Sequence, residues 1–386
     1  MRRTISTKLV NISGHPTPLP CTLVTLRGQV FVIPKRQRMN TFIEQIMVDA
    51  ISHMGPALAA DPEFLKNAVK QLPPAPYGML EVRLESGASQ VDFSQGFRER
   101  DYSLIAPWLR QSGDLHWSTL GSFVNAISAK DSLLNSSISG VGLEFDLDCN
   151  AISSTQLPNL FFIFRRDNTK NRATLLTALK TGLATLFAQG SCKALLHNCT
   201  SLLNNLPSET QIRTAGVMLA RAPRSLRLQL EGVPPDEIPK LLKKMRLNKL
   251  PYQLDTMLNA AQNINLPSFS CVDLAPHLLP QIGLEFKDIG SRAPEVLSKT
   301  LDLLVHYQLC CPEKRDNLNN WTGCTTPTSA PIDWITNQTN QPPLAGNRYF
   351  VTICRRISHI KLMASEDQGL TAKAYLEVHP EIKTLS

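Results

Sequence analysis

The sequence predicts an α+β protein in which five repeated helix–strand–strand–helix units supply about ten antiparallel strands. Two observations lead to this fold class. The spacing of apolar residues changes repeatedly between the period of a helix and the period of a strand. Turn residues separate the paired segments of period two, which is typical of β-hairpins. With 386 residues, 42% of them hydrophobic and 19% charged, the chain is long enough and apolar enough to bury a large core.

The predicted elements follow one another in order. The apolar stripe of a first helix begins near Asn40, and Asp61 with Pro62 predicts the N-cap and first position of a second. Further helices are predicted at 102–110, 117–128, 172–189, 192–205, 235–246, 251–261 and 294–308, with a short one opened by Pro312. The five hairpins are predicted at 79–85 with 90–94, 141–148 with 159–164, 211–221 with 225–231, 269–275 with 281–287, and 358–364 with 371–378.

Each predicted hairpin has one apolar and one charged face. Successive strand residues point to opposite faces, so Leu80 and Val82 oppose Glu81 and Arg83 in the first hairpin. The neighbouring amphipathic helices can cover the apolar faces. An open sheet would leave the charged faces in water, whereas closure would remove two exposed edges and enclose a chamber. We therefore expect a closed barrel of about ten strands, with a polar lumen and the helices outside.

Composition and charge restrict the partners. The net charge is +8, but the densest basic segment, 240–249, contains no interleaved aromatic residue. It is interpreted as a solvated helix face rather than a nucleic-acid site. The N-terminus MRRTISTKLV has no signal-peptide pattern, and no run of about 18 apolar residues could span a bilayer. The expectation is a cytoplasmic protein with a single barrel domain over 1–386, an N-terminal extension at 1–38 and a loop insertion at 322–347.

The familiar site motifs are missing from the sequence. None of the nine cysteines forms a C-x-x-C pair, so they are interpreted as reduced structural thiols rather than zinc ligands. The sequence also has no G-x-G-x-x-G, P-loop, G-x-S-x-G or H-E-x-x-H motif, and no aspartate-rich D-D-x-x-D motif. The candidate site must therefore be sought on the charged faces of the hairpins.

From about residue 40 onward, this arrangement resembles the ABBA-type, or PT-barrel, aromatic prenyltransferases. Lys373-Ala374-Tyr375 is similar to the Lys-x-Tyr arrangement on the second strand of a hairpin in that family. The resemblance implies transfer of a prenyl group from an allylic diphosphate to an aromatic or peptide acceptor inside the lumen. It also implies a role in natural-product biosynthesis and chemistry without a metal cofactor.

The resemblance also implies roles for individual residues. Tyr375 would shield the carbocation, and Glu81 would orient the acceptor. The sequence departs from the family at the second hairpin, where Phe161 and Ile163 stand in place of a Lys-x-Tyr pair. The cations that would hold the diphosphate are Arg227, Lys287, Lys361 and Lys373.

The predicted lumen also carries many carboxylates, which leave two other functions open. Glu144 and Glu285 are candidate acid–base residues, and Asp146, Asp273 and Arg83 are candidate substrate-binding residues. These carboxylates would suit a tailoring or cyclising enzyme, and Mg²⁺ could bind among them. Alternatively, the inner charges neutralise one another and the protein is a non-catalytic binding or scaffold protein. A small-molecule or peptide partner is expected, and no oligomeric state is predicted.

Overall fold

The computed structural model describes residues 21–26, 29–34, 46–73, 75–111, 115–147, 157–168, 171–187, 192–220, 225–244, 254–264, 268–275, 278–287, 289, 294–325, 348–365 and 369–385. Within these residues, every helix is too short or too polar to cross a lipid bilayer. The first two strands, β1 (Cys21–Leu26) and β2 (Gln29–Pro34), form a separate antiparallel pair.

A closed barrel of ten antiparallel strands dominates the structure. Strands that are consecutive in the chain pair with one another, and the ring closes where β10 pairs with β12. The predicted fold class is therefore confirmed. The short strand β11 (Gly323–Thr325) pairs with β12 outside the ring. The barrel strands are β3 (Tyr77–Arg83), β4 (Val91–Arg98), β5 (Ile138–Leu147), β6 (Asn159–Phe164), β7 (Gln211–Met218), β8 (Ser225–Glu231), β9 (Phe269–Leu274), β10 (Leu278–Lys287), β12 (Arg348–Ser365) and β13 (Gly369–Leu385).

Helices contribute to one continuous hydrophobic core with the apolar outer face of the barrel. Phe123 from a helix packs on Phe162 of β6, with their ring centroids 5.4 Å apart. Burial of such a ring stabilises the fold by about 1.5–3 kcal/mol. The helices are α1 (residues 46–52), α2 (Pro62–Lys70), α3 (Tyr102–Gln111), α4 (Leu115–Ser128), α5 (Leu133–Ser137), α6 (Arg172–Leu186), α7 (Lys193–Asn205), α8 (Ile238–Lys244), α9 (Leu254–Ile264), α10 (Pro294–His306) and α11 (Pro312–Trp321).

Local sequence signals set several helix starts. Asp61 caps α2 by accepting a hydrogen bond from the backbone N–H of Phe64 at 2.9 Å, as its position before Pro62 predicted.

Helix α11 is secured through Lys314, whose ammonium group donates to the backbone carbonyls of Arg83, Glu85 and Ala88 at 2.6–2.8 Å. These contacts fasten α11 to the turn between β3 and β4.

The last hairpin is longer than the sequence predicted. Strand β12 begins ten residues before position 358, and β13 continues seven residues past position 378. A register shift between Ile357 and His359 exchanges the two faces of β12, so its first half does not continue the alternation of its second half. Because of this bulge, the alternation of apolar and polar residues predicted only the second half of β12, which begins near position 358.

Candidate active site inside the barrel

The charged faces of the hairpins turn into the barrel, and one end of its interior holds a cavity of about 250 Å³. Aromatic rings and charged groups line this cavity together. A chamber of this composition is typical of small-molecule sites, where apolar walls carry a few converging polar groups. The chemically relevant lining residues are Tyr77, Glu144, Phe161, Arg227, Gln229, Glu285, Lys287, His359, Lys361 and Tyr375.

Arg227 on β8 is directly opposite Asp273 on β9. The guanidinium donates two hydrogen bonds to the carboxylate, each of 2.8 Å, and both side chains are buried. This two-point geometry is the strongest that an arginine makes with a carboxylate. One predicted cation of the chamber is thereby neutralised within the barrel wall.

Lys361 on β12 is directly opposite Glu285 on β10, and their charged atoms lie 3.2 Å apart. Glu285 also accepts hydrogen bonds from Gln229 and from the thiol of Cys271. Burial alone would raise the pKa of Glu285, but Lys361 and its other neighbours lower that pKa to about 2. Glu285 is therefore an anion that holds Lys361, rather than a proton donor near neutral pH.

Lys373 on β13 forms an ion pair with Glu81 on β3. Burial alone would raise the pKa of Glu81, but the Lys373 charge and hydrogen bonds from Lys373 and Tyr375 hold it well below its usual range. Glu81 does not line the cavity and is instead a fixed anion behind Tyr375. Its position suits the orientation of Tyr375 better than direct contact with a ligand.

Tyr375 and His359 form a flat aromatic surface in the chamber. Their rings are stacked with centroids 3.8 Å apart and planes inclined by 14°. Burial lowers the pKa of His359 to about 4, so the imidazole is neutral at ordinary pH. A neutral pair of stacked rings presents an electron-rich face on which a cationic or aromatic ligand can lie.

Lys287 on β10 differs from Lys361 and Lys373, which both form ion pairs. Its ammonium lies 4.0 Å from the centroid of the Phe269 ring. Among the described residues, no carboxylate oxygen comes within ion-pair distance of it. A lysine ammonium held against an aromatic ring can still bind an anionic partner. Lys287 is therefore a chamber cation able to meet an incoming anion without first breaking a described ion pair.

A group of carboxylates occupies the strands on the far side of the ring. Asp92 on β4 is directly opposite Asp146 on β5 and Glu81 on β3. Burial, followed by the charges of Glu81, Asp146 and Glu144, raises the pKa of Asp92 to about 7 despite the nearby Lys373. In the described part of the barrel, these carboxylates do not converge three at a time as metal ligands would.

Glu144 is the member of that group that reaches the cavity. It is buried on β5 and accepts a hydrogen bond of 3.4 Å from Asn159. Phe161 lies beside it on β6, packed against Gly216, where any Cβ atom would clash with the ring. Gly216 therefore allows Phe161 to form the aromatic wall next to a carboxylate.

The structure divides the predicted site residues into two sets. Six line the cavity: Glu144, Arg227, Glu285, Lys287, Lys361 and Tyr375. The other five, Glu81, Arg83, Asp146, Asp273 and Lys373, are not among the cavity-lining residues. Sequence reasoning did not propose Tyr77, Gln229 or Phe161 as site residues, although the parity of β8 already placed Gln229 beside Arg227.

A closed ten-stranded antiparallel barrel with helices outside is the fold of the ABBA-type, or PT-barrel, prenyltransferases. The expected resemblance is thus confirmed at the level of structure. No protein-family profile matches the chain, and no curated protein sequence is detectably similar to it.

Solved structures nevertheless match nearly the whole chain. The prenyltransferase PriB in its apo form is similar with a TM-score of 0.52 and 11% identity, over 89% of this chain and 99% of PriB. The 5-dimethylallyltryptophan synthase of Streptomyces coelicolor is similar with a TM-score of 0.51 and 12% identity, over 86% of this chain and 97% of the synthase. At these identities the similarity defines the fold, and the residues of the chamber must supply the argument for function.

Proposed function

We propose that this protein transfers a prenyl group from an allylic diphosphate to an aromatic or peptide acceptor inside the barrel. One observation carries the proposal: Arg227, Lys287 and Lys361 reach one cavity from β8, β10 and β12, which are close together in the ring. Glu144 reaches the same cavity from β5, five strands away from β10. The chamber thus has one wall with three cations, here called the cationic wall, opposite the Glu144 carboxylate, and two of these cations are paired with Asp273 and Glu285.

The cationic wall suits a diphosphate leaving group. During transfer the bond between the allylic carbon and the diphosphate oxygen breaks, and negative charge accumulates on that oxygen. Fixed ammonium and guanidinium groups stabilise such a developing charge. Lys287 would make the first contact, and Lys361 and Arg227 would share their hydrogen-bonding capacity between the phosphates and their carboxylates.

The rest of the chamber suits the carbocation and the acceptor. The Tyr375 face, held by Glu81 and by stacking on His359, would stabilise the allylic cation. The acceptor would lie against Phe161, with its N–H or O–H donating to Glu144. As the acceptor's ring attacks the allylic carbon, its displaced proton would pass to the Glu144 carboxylate.

We expect Lys287→Ala to weaken the binding of dimethylallyl diphosphate about 10- to 100-fold, because one charge-assisted hydrogen bond contributes about 1.5–3 kcal/mol. Isothermal titration calorimetry measures this change. Lys240→Ala removes an exposed lysine of α8 and should leave binding unchanged. A wild-type protein that releases or absorbs no heat with any allylic diphosphate would exclude the proposed transfer.

A second function is favoured by the carboxylates. Asp92, with a pKa of about 7 beside Glu81 and Asp146, can hold or release a proton near neutral pH. Such a group is what a cyclising or tailoring enzyme requires for acid–base chemistry. In this case the cations of the lumen would serve only to balance the charge of the carboxylates.

The variant Glu285→Gln separates the two functions. If Lys361 binds diphosphate, loss of its carboxylate partner should tighten diphosphate binding about 10- to 100-fold. If the carboxylates perform the chemistry and Lys361 only balances their charge, the same variant should not improve diphosphate binding. The matched control is the double variant Glu285→Gln/Lys361→Met, which removes both partners and should show no tightening.

A further inference from the structure

Four side chains with metal-binding chemistry meet on the inner face of the last hairpin, past the rim of the barrel. Cys354 on β12 is directly opposite Cys324 on β11 and, on its other side, His379 on β13. Glu381 lies two residues beyond His379 and therefore on the same face of β13. The four residues come from three adjacent strands, and Cys324 lies 30 residues before Cys354 in the sequence.

Three of the four ligand atoms converge, those of Cys354, His379 and Glu381, and the Cys324 sulfur adjoins this group through its contact with the Cys354 sulfur. The sulfurs of Cys324 and Cys354 lie 2.7 Å apart, and the His379 Nε2 atom lies 3.4 Å from a carboxylate oxygen of Glu381. One ligand atom from each of Cys354, His379 and Glu381 falls within 4.8 Å of the other two. The Nδ1 atom of His379 is buried without a hydrogen-bond partner among the described residues. The cluster thus combines two thiols and a carboxylate with an imidazole whose hydrogen bonding is incomplete.

We propose that Cys324, Cys354, His379 and Glu381 bind a divalent zinc ion. Two thiolates, one imidazole and one carboxylate form a donor set that zinc accepts in tetrahedral geometry. Zinc–sulfur bonds of about 2.3 Å would hold the two sulfurs about 3.8 Å apart. Metal entry therefore requires the two sulfurs to separate by about 1 Å, which small rotations of the exposed Cys324 side chain can supply.

The proposed ion would have a structural role. His379 is four residues from Tyr375 along β13, which corresponds to about 13 Å in a strand. An ion there does not reach a ligand lying on Tyr375 in the chamber. It would instead fasten β11, a strand of only three residues, to the hairpin of β12 and β13. The site is therefore independent of the proposed prenyl transfer, and either can fail without the other.

The same two sulfurs could instead form a disulfide bond across β11 and β12, and the experiment must distinguish the two. We expect protein purified under reducing conditions to bind one equivalent of zinc, measured by elemental mass spectrometry after dialysis. Cobalt(II) added in place of zinc should give the absorption of tetrahedral thiolate coordination. An intact mass lower by two hydrogens, with no bound metal, would show a disulfide and overturn the proposal.

Variants locate the ion. Cys324→Ser and His379→Ala should each weaken zinc binding by at least about 100-fold, since loss of a supporting contact alone costs 10- to 100-fold. Cys324 is exposed, so its variant should retain the fold. Cys311→Ser changes a thiol at the start of α11 and should leave zinc binding unchanged. Equal zinc binding by wild type and Cys324→Ser would also overturn the proposal.

Discussion

Asp273→Leu is expected to destabilise the protein by about 3–5 kcal/mol, because it leaves the buried Arg227 charge without its carboxylate. Arg227 is 8% exposed, and its two hydrogen bonds to Asp273 are the side-chain partners described for its guanidinium. The measurement is the free energy of unfolding from urea denaturation, with the slope of the transition compared between variant and wild type.

The double variant Arg227→Met/Asp273→Leu is the matched control. It replaces the ion pair by apolar side chains, and such replacements are often neutral or stabilising. We therefore expect its stability to lie close to that of the wild type. If the double variant is as unstable as Asp273→Leu, the cost comes from altered packing in the lumen rather than from an unpaired charge.

Asp92→Asn is expected to stabilise the protein by about 4 kcal/mol at pH 8 and to have little effect at pH 4. The pKa of Asp92 is about 7 in the folded protein, against an ordinary value of 3.8. Between these values the folded state retains a proton that the unfolded state has lost, so stability falls as pH rises, by about 1.4 kcal/mol per unit. Above pH 7 both states are ionised and the penalty is constant.

An asparagine at position 92 has no proton to lose and therefore escapes this penalty. Unfolding free energies measured from pH 4 to pH 8 should diverge between wild type and Asp92→Asn as pH rises. Asp131→Asn, in an exposed turn before α5, should run parallel to the wild type. A constant difference between Asp92→Asn and wild type across this range would show that Asp92 ionises with an ordinary pKa.

The periodicity of the sequence predicted the strands and their two faces, and the need to protect two sheet edges favoured a closed barrel. A period of two in five paired segments implied ten strands, and the parity of residues such as Leu80 and Glu81 assigned one face to the helices and one to the lumen. These inferences succeed because strand alternation is a local property. The alternation along β5, β10 and β13 likewise assigned Glu144, Lys287 and Tyr375 to the lumen face.

The pairing of the charges depended on strand order and register. Lys361 and Glu285 are far apart in the chain and meet because β10 closes the ring against β12. Arg227 likewise meets Asp273 through the register of β8 and β9. The sequence showed cations and carboxylates on the same face but not which of them are partners. The partners depend on the register between strands, and a shift of one residue would turn every side chain of a strand to the other face.

The cysteines likewise show the difference between what the sequence predicts and what strand pairing decides. The pairing of Cys324 with Cys354 leaves no short spacing in the sequence, because adjacent strands rather than adjacent residues bring the two thiols together. By itself, then, the sequence determined the elements, their two faces and the polar lumen, because these follow from local periodicity and turn chemistry. Only the tertiary structure decided which charges are neutralised, which residues reach the cavity and where thiols meet a histidine, because those relations depend on closure and register across the barrel.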